Sequence, residues 1–184
     1  MGEVISVGIQ KGGVGKTTTT AVVSWILANH YGKKVLAIDF DSQGNLTQML
    51  TQVEDTFDAF NGRMALDGIK AGNIEPYIVK TPANVDLLPA TDLLSLLASW
   101  LYTNYRDRNE YVFALRKAMK SVRDKYDYIL IDQPPNLGEL CSNAVGAADW
   151  ALVIMQTENF CYRAVDVYLE FLMLYGETFR GSEY

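Results

Sequence analysis

The stretch that decides the fold is VISVGIQKGGVGKTTTT, residues 4–20. Residues 4–9 form a short apolar run of strand-forming residues, and residues 17 to about 31 carry helix-compatible spacing closed by Gly32. The order is strand, glycine loop, helix. A loop that cradles phosphate needs glycines because its backbone N–H groups must converge in dihedrals that a Cβ obstructs, and it needs a lysine for the terminal phosphates. Gly12, Gly13, Gly15 and Lys16 meet that need. The pattern G-x-x-x-x-G-K-[ST] would also place glycine at position 10, where Gln10 stands, followed at once by a second lysine, Lys11. A bare strand-to-helix turn is the bland alternative. Against it, the loop opens a helix N-terminus and ends in Lys16-Thr17, a cation and a metal-binding hydroxyl where a nucleoside triphosphate requires them. Thr17 is the expected Mg²⁺ ligand and Thr18 an α-phosphate contact, while Thr19 and Thr20 are read as packing in the first helical turns.

Working outward, KVLAIDFD (34–41) and YDYILIDQPP (126–135) are near-continuous apolar runs that end in acids, the pattern of strands buried on both faces of a parallel sheet. WALVIMQT (150–157) is read as a further apolar strand and NVDLLPA (84–90) as another. PYIVK (76–80) fits an edge strand. Helices are expected at NLTQML (45–50), ALDGIKAG (65–72), TDLLSLLASWLY (91–102), residues 109–125 with Val112, Leu115, Met119 and Val122 as the buried stripe, and Arg163–Tyr175 closed by Gly176. Apolar strands alternating with helices imply an α/β fold, a doubly wound, mostly parallel sheet with right-handed crossovers and helices on both faces. Ligands of such sheets bind at the carboxyl ends of the strands. The glycine loop, the Asp39/Asp41 pair and Asp132 all fall at such ends.

The 184 residues, 49% hydrophobic and 21% charged, suit one domain spanning 1–184. A net charge of −6 argues against coating nucleic acid or anionic membrane with the whole surface. The basic cluster RKAMKSVRDK (116–125) reads as a solvated helix face, with Lys33 and Lys34 a smaller pair. No apolar stretch reaches the length of a membrane span and no signal peptide opens the chain, so a cytoplasmic location is expected. Cys141 and Cys161 lack metal or disulfide spacing and read as buried small hydrophobes. His30 has no partner pattern and reads as a residue near the end of the first helix.

Asp132 closes YILI and is the candidate carboxylate for Mg²⁺; a strand-end cap is the alternative. The two prolines after Gln133 force a stiff exit from the strand, suited to sensing a γ-phosphate. Asp39 and Asp41 lie two apart and on a regular strand share a face; Asp39 suits the outer shell of a metal and Asp41 the orientation of attacking water. Capping the helix near Asn45 is the alternative for Asp39.

KGGVGKTT (11–18), VLAIDFDSQGN (35–45) and YILIDQPP (128–135), in that order, resemble the ParA/MinD group of deviant Walker P-loop NTPases, and most closely the ParA (Soj-like) DNA-partition ATPases, from about residue 4 to residue 175. The resemblance implies ATP and Mg²⁺ as cofactors, a nucleotide loop of Lys11, Gly12, Gly13, Val14, Gly15, Lys16, Thr17 and Thr18, catalytic roles for Lys11, Lys16 and Asp41, and metal support from Thr17, Asp39 and Asp132. It implies that Lys11 reaches across an ATP-dependent homodimer; a cation about 4 Å from a phosphate charge is worth roughly 4 kcal/mol at an effective dielectric near 20, before desolvation. It also implies slow hydrolysis stimulated by a ParB-like centromere-binding adaptor, nonspecific DNA binding and association with the nucleoid. Two departures are local: Ser42 stands where the family usually has proline, and Gln133 where cysteine is frequent. The chain also stops at Tyr184, so the domain is expected to be shortened at its C-terminus relative to the family. The alternatives are a nonenzymatic nucleotide-dependent regulator, a truncated partner that sequesters a full-length one, and a membrane-positioned division-site ATPase. The last needs a basic amphipathic C-terminal helix, whereas VYLEFLMLYGETFRGSEY (167–184) ends acidic. A metal-cluster ATPase of the nitrogenase-reductase type would need a second suitably placed cysteine beside Cys141.

Overall fold

The computed structural model describes residues 2–157 and 159–180. Strands β1 (Glu3–Gly8), β2 (Val35–Asp39), β3 (Val79–Lys80), β4 (Asp86–Leu88), β5 (Tyr128–Asp132) and β6 (Trp150–Val153) make one sheet in the order β3-β4-β2-β5-β1-β6. All pairs are parallel except β3 with β4, so the expected edge strand is the antiparallel one. Alternation along β2 and β5 divides the core. Leu36, Ile38, Ile129 and Ile131 face one side, with helices α4 (Ala65–Lys70), α5 (Leu97–Asn104), α7 (Ala114–Ala118) and α8 (Glu139–Ala147). Val35, Ala37 and Leu130 face the other, with α1 (Lys16–Asn29) and α2 (Asn45–Thr51). Because both faces of these strands are covered, their sequences are apolar without alternation.

The register brings the acids together. Asp39 of β2 lies opposite Asp132 of β5, and Val7 of β1 lies opposite the same Asp132. Both aspartates share the parity of Ala37 and Leu130 and so face α1 and α2.

Several elements differ from the sequence reading. Residues 109–125 do not form one helix: α6 (Arg108–Tyr111), α7 and a 3-10 turn (Arg123–Lys125) replace it. The Leu115 N–H, which a continuous helix would direct to Tyr111, donates to the Asn143 side chain of α8 at 3.3 Å. The stripe Val112, Leu115, Met119 and Val122 is nonetheless buried throughout. The helix expected from Thr91 begins as a 3-10 turn (Asp92–Leu96) capped by the Thr91 hydroxyl, then continues as α5. The last helix, α9 (Asn159–Arg180), runs through Gly176, since one interior glycine costs only about 1 kcal/mol. The sequence reading contained neither α3 (Thr56–Phe60) nor α8. β6 lies at a sheet edge with Trp150 64% and Leu152 39% exposed, unlike the buried strands.

Candidate nucleotide-binding site

Between β1 and α1 the chain makes the glycine loop. Gly13 and Gly15 adopt φ of +73° and +91°, a region L side chains rarely enter, and Gly15 is the N-cap of α1. The loop's backbone N–H groups and the helix N-terminus therefore open toward the carboxyl end of the sheet. Lys16 is the first residue of α1 and is buried; its Nζ donates to the Lys11 carbonyl at 2.7 Å. Burial lowers its pKa, opposed by the nearby charges of Asp132 and Asp41. Lys11 Nζ donates to Cys161 Sγ of α9 at 3.1 Å.

Asp132 is completely buried at the end of β5. The Thr20 hydroxyl shares its hydrogen between the Lys16 carbonyl (3.0 Å) and Asp132 Oδ1 (3.3 Å), and the Thr17 hydroxyl acts on the same carboxylate in the sense that favours its ionised form. Its other oxygen, Oδ2, is buried with no hydrogen-bond partner among the described residues. Loss of water pushes the Asp132 pKa up to about 7, with the two threonines opposing and Asp39 and Asp41 adding repulsion. Thr20 thus does more than pack. It sits four residues after Lys16, on the same helix face, but its partner is defined only by the strand register.

Asp39 is completely buried and both its oxygens are engaged: Oδ2 accepts from Thr47 N (2.8 Å) and Thr47 Oγ1 (2.7 Å), Oδ1 from Asp41 N (3.3 Å). These bonds make it the carboxylate that receives the first turn of α2, the alternative weighed from sequence. Burial raises its pKa to about 6 despite the Thr47 bonds. Asp41 lies past the end of β2, so strand alternation does not reach it. Asp41 is half-buried in a turn, where its Oδ1 accepts from Gln43 N at 3.1 Å.

A cleft of about 540 Å³ gathers Gly12 to Thr18, Val14 among them, with Asp41, Gln43, Asn45, Gln48, Met49 and Pro135. Pro135 belongs to the proline pair read from sequence as a γ-phosphate sensor; the α2 residues Asn45, Gln48 and Met49 were not singled out, and their signal was their place just after the acid that ends β2. The basic cluster lies elsewhere and is partly paired: Arg123 with Asp149 at 2.6 Å, Lys125 with Glu75, and Lys117 over the Tyr105 ring. His30 is the exposed C-cap of α1. No helix among the described residues is long and apolar enough to cross a membrane.

A parallel sheet with this strand order, a glycine loop feeding a helix whose first residue is lysine, and an acid at the end of the adjacent strand define a P-loop NTPase domain. A protein-family model described as AAA domain matches residues 2–180, and the chain belongs to that family, in its ParA/MinD-type group. The chain is 35% identical over 181 residues to the sporulation initiation inhibitor protein Soj of Bacillus subtilis, covering 95% of this chain and 66% of that one. It is 34% identical over 172 residues to the chromosome-partitioning ATPase Soj of Treponema pallidum, covering 92% and 63%. Among solved structures it is similar to a cobyrinic acid a,c-diamide synthase from Mycobacterium smegmatis with bound ATP analog and magnesium: 32% identity, TM-score 0.82, 94% of this chain and 66% of the other. The chain thus spans about two thirds of the length of these relatives.

Proposed function

We propose that this chain is the ATPase domain of a DNA-partition protein that binds Mg·ATP in the cleft over β1, β2 and β5, hydrolyses it slowly, and pairs with a second copy while ATP is bound. The observation that carries the reading is Asp132 Oδ2, a buried carboxylate oxygen with no partner among the described residues, beside Thr17 and near buried Lys16. Buried polar groups without partners are rare and call for a missing ligand, and a carboxylate beside a hydroxyl at a phosphate loop suits a hard divalent cation. The residues therefore fit magnesium, with Thr17 and Asp132 to hold it and Asp39 behind them in the outer shell. Mg²⁺ bound there would neutralise phosphate charge and orient the terminal phosphate.

The chain's own groups do the rest. N–H groups from Gly12 to Thr18 surround the phosphates, and Lys16 exchanges its bond to the Lys11 carbonyl for one to a phosphate oxygen. Asp41, on the open wall of the cleft, orients the attacking water. Lys11 serves the pocket of the second copy, which makes pairing depend on the triphosphate. The Treponema pallidum relative, named a chromosome-partitioning ATPase, and the structure with ATP analog and magnesium support the nucleotide and the role. Nonspecific DNA binding by the dimer, a ParB-like adaptor that speeds turnover, and work in the cytoplasm on the nucleoid complete the proposal.

Phosphate release by wild type, Lys16→Ala and Asp41→Ala, with sizing in the presence and absence of ATP and DNA, tests it. Both variants are expected to lose turnover; rates equal to wild type in both would refute the assignment. Nucleotide binding by wild type without phosphate release would identify a nonenzymatic regulator instead.

A further inference from the structure

Gln133 follows Asp132, so its side chain leaves the sheet on the opposite face, toward α8 and α9. There Oε1 accepts from the Tyr168 hydroxyl at 2.8 Å and from the Cys141 thiol at 3.2 Å. The Gln133 side chain is buried, and its Nε2 has no hydrogen-bond partner among the described residues. Gly8 of β1 makes room for this meeting: a Cβ at that position would lie 2.2 Å from Gln133 Oε1 and 2.3 Å from the Tyr168 oxygen. Tyr168 and Cys161 are both fully buried on α9 and stand two helical turns apart, hence on one face. One face of α9 therefore touches the loop lysine, through Cys161, and the segment after the acid of β5, through Tyr168. From Gln133 the chain passes through Pro134 to Pro135 in the cleft wall. Proline fixes φ and restricts its predecessor, so these three residues move as a stiff unit. Elsewhere on its surface α9 exposes apolar Leu169, Met173 and Leu174.

We propose that the Gln133–Tyr168 hydrogen bond couples the occupancy of the nucleotide cleft to the position of α9, with Gln133 as a positioning residue between Pro135 and the helix. The proposal rests on the nucleotide-binding reading above. A buried amide donor without an acceptor marks an arrangement in which not every polar group is satisfied. A small displacement of Pro135 by a terminal phosphate shifts Gln133, and the second arrangement is the one in which Nε2 finds a partner while α9 re-seats. That is a two-state element at the junction of cleft and helix, the physical requirement for transmission. Static packing alone would explain the fit of Gly8 but not the orphaned donor.

The experiment follows amide hydrogen exchange of α9 with and without the non-hydrolysable analogue AMPPNP and magnesium, in wild type, Tyr168→Phe and Gln133→Met, with analogue affinity measured in parallel. In wild type a several-fold change in α9 exchange on adding the analogue is expected. In both variants the analogue still binds with near wild-type affinity and the change at α9 is lost. Tyr168→Phe removes one oxygen and keeps the ring, and a melting curve verifies that it is folded. Wild type that binds the analogue with no change at α9, or variants that respond as wild type does, overturns the coupling and leaves the function standing. Failure of wild type to bind the analogue at all overturns both.

Discussion

Asp132→Asn removes a charge while keeping the side chain's shape, and the structure gives its consequence a sign. In the folded protein Asp132 titrates at about 7 against 3.8 when solvated. A raised carboxylate pKa means that the folded state binds a proton more tightly than the unfolded one between about pH 4 and 7. The wild type is therefore most favoured by this group below pH 4 and loses that contribution as the pH rises through 7. The difference of about 3 in pKa is roughly 4 kcal/mol at full ionisation, using about 1.36 kcal/mol per pKa unit. The ammonium of Lys16 and partial water entry offset some of this, leaving about 1–3 kcal/mol. Asparagine keeps an Oδ1 to accept from Thr20 and carries no charge. The variant is expected to melt several degrees above wild type at about pH 8 without magnesium or nucleotide, since each kcal/mol moves Tm by about 2–4 °C at this chain length. The gap falls to about half at pH 5.5 and closes near pH 4. The same variant is expected to lose the magnesium-dependent tightening of ATP, by about 10-fold or more. Thermal melts across this pH range and nucleotide titrations with and without magnesium measure both arms. A variant no more stable than wild type at pH 8 would refute the argument that an ionised, underpaired Asp132 burdens the fold.

Lys11→Ala is expected to bind ATP as a monomer and to show no ATP-dependent dimer by light scattering; dimers that persist would remove the cross-subunit role. Thr47→Val deletes the donor to Asp39 Oδ2 and the acceptor for Ala90 N, so denaturant unfolding is expected to show a loss of about 2–4 kcal/mol. Because Thr47 favours the ionised carboxylate, its loss raises the Asp39 pKa beyond about 6, and the deficit grows as pH rises through that value. Gly8→Ala places a methyl against Gln133 and Tyr168 and is expected to cost about 1–3 kcal/mol, part of which Tyr168→Phe recovers in the double variant.

The parts of the site legible in the sequence are those whose geometry is local. A loop that needs positive φ at Gly13 and Gly15 writes its glycines in order, and strands covered on both faces write unbroken apolar runs such as VLAID and YILID. What is not local leaves no such trace. The break between α6 and α7 comes from Asn143, a residue of a distant helix that takes the N–H of Leu115. That helix, α8, carries no legible signal because it is built of small residues buried on nearly every side, so no 3.6-residue stripe appears. Trp150 to Val153 reads as one more apolar strand because an apolar run records nothing about how many of its flanks are covered; here the strand lies at the sheet edge beside β1. The two-residue spacing of Asp39 and Asp41 suggests a shared strand face, but β2 stops at Asp39; the sequence does not show that Asp132 lies opposite Asp39, placed there by the insertion of β5 between β1 and β2. The chemistry of the loop is thus written in one stretch, whereas the carboxylate that completes it is supplied by topology. Sequence could name Asp132 as the acid of a strand end, and only the fold could show one of its oxygens bonded to Thr20 of the first helix and the other buried with no hydrogen-bond partner among the described residues.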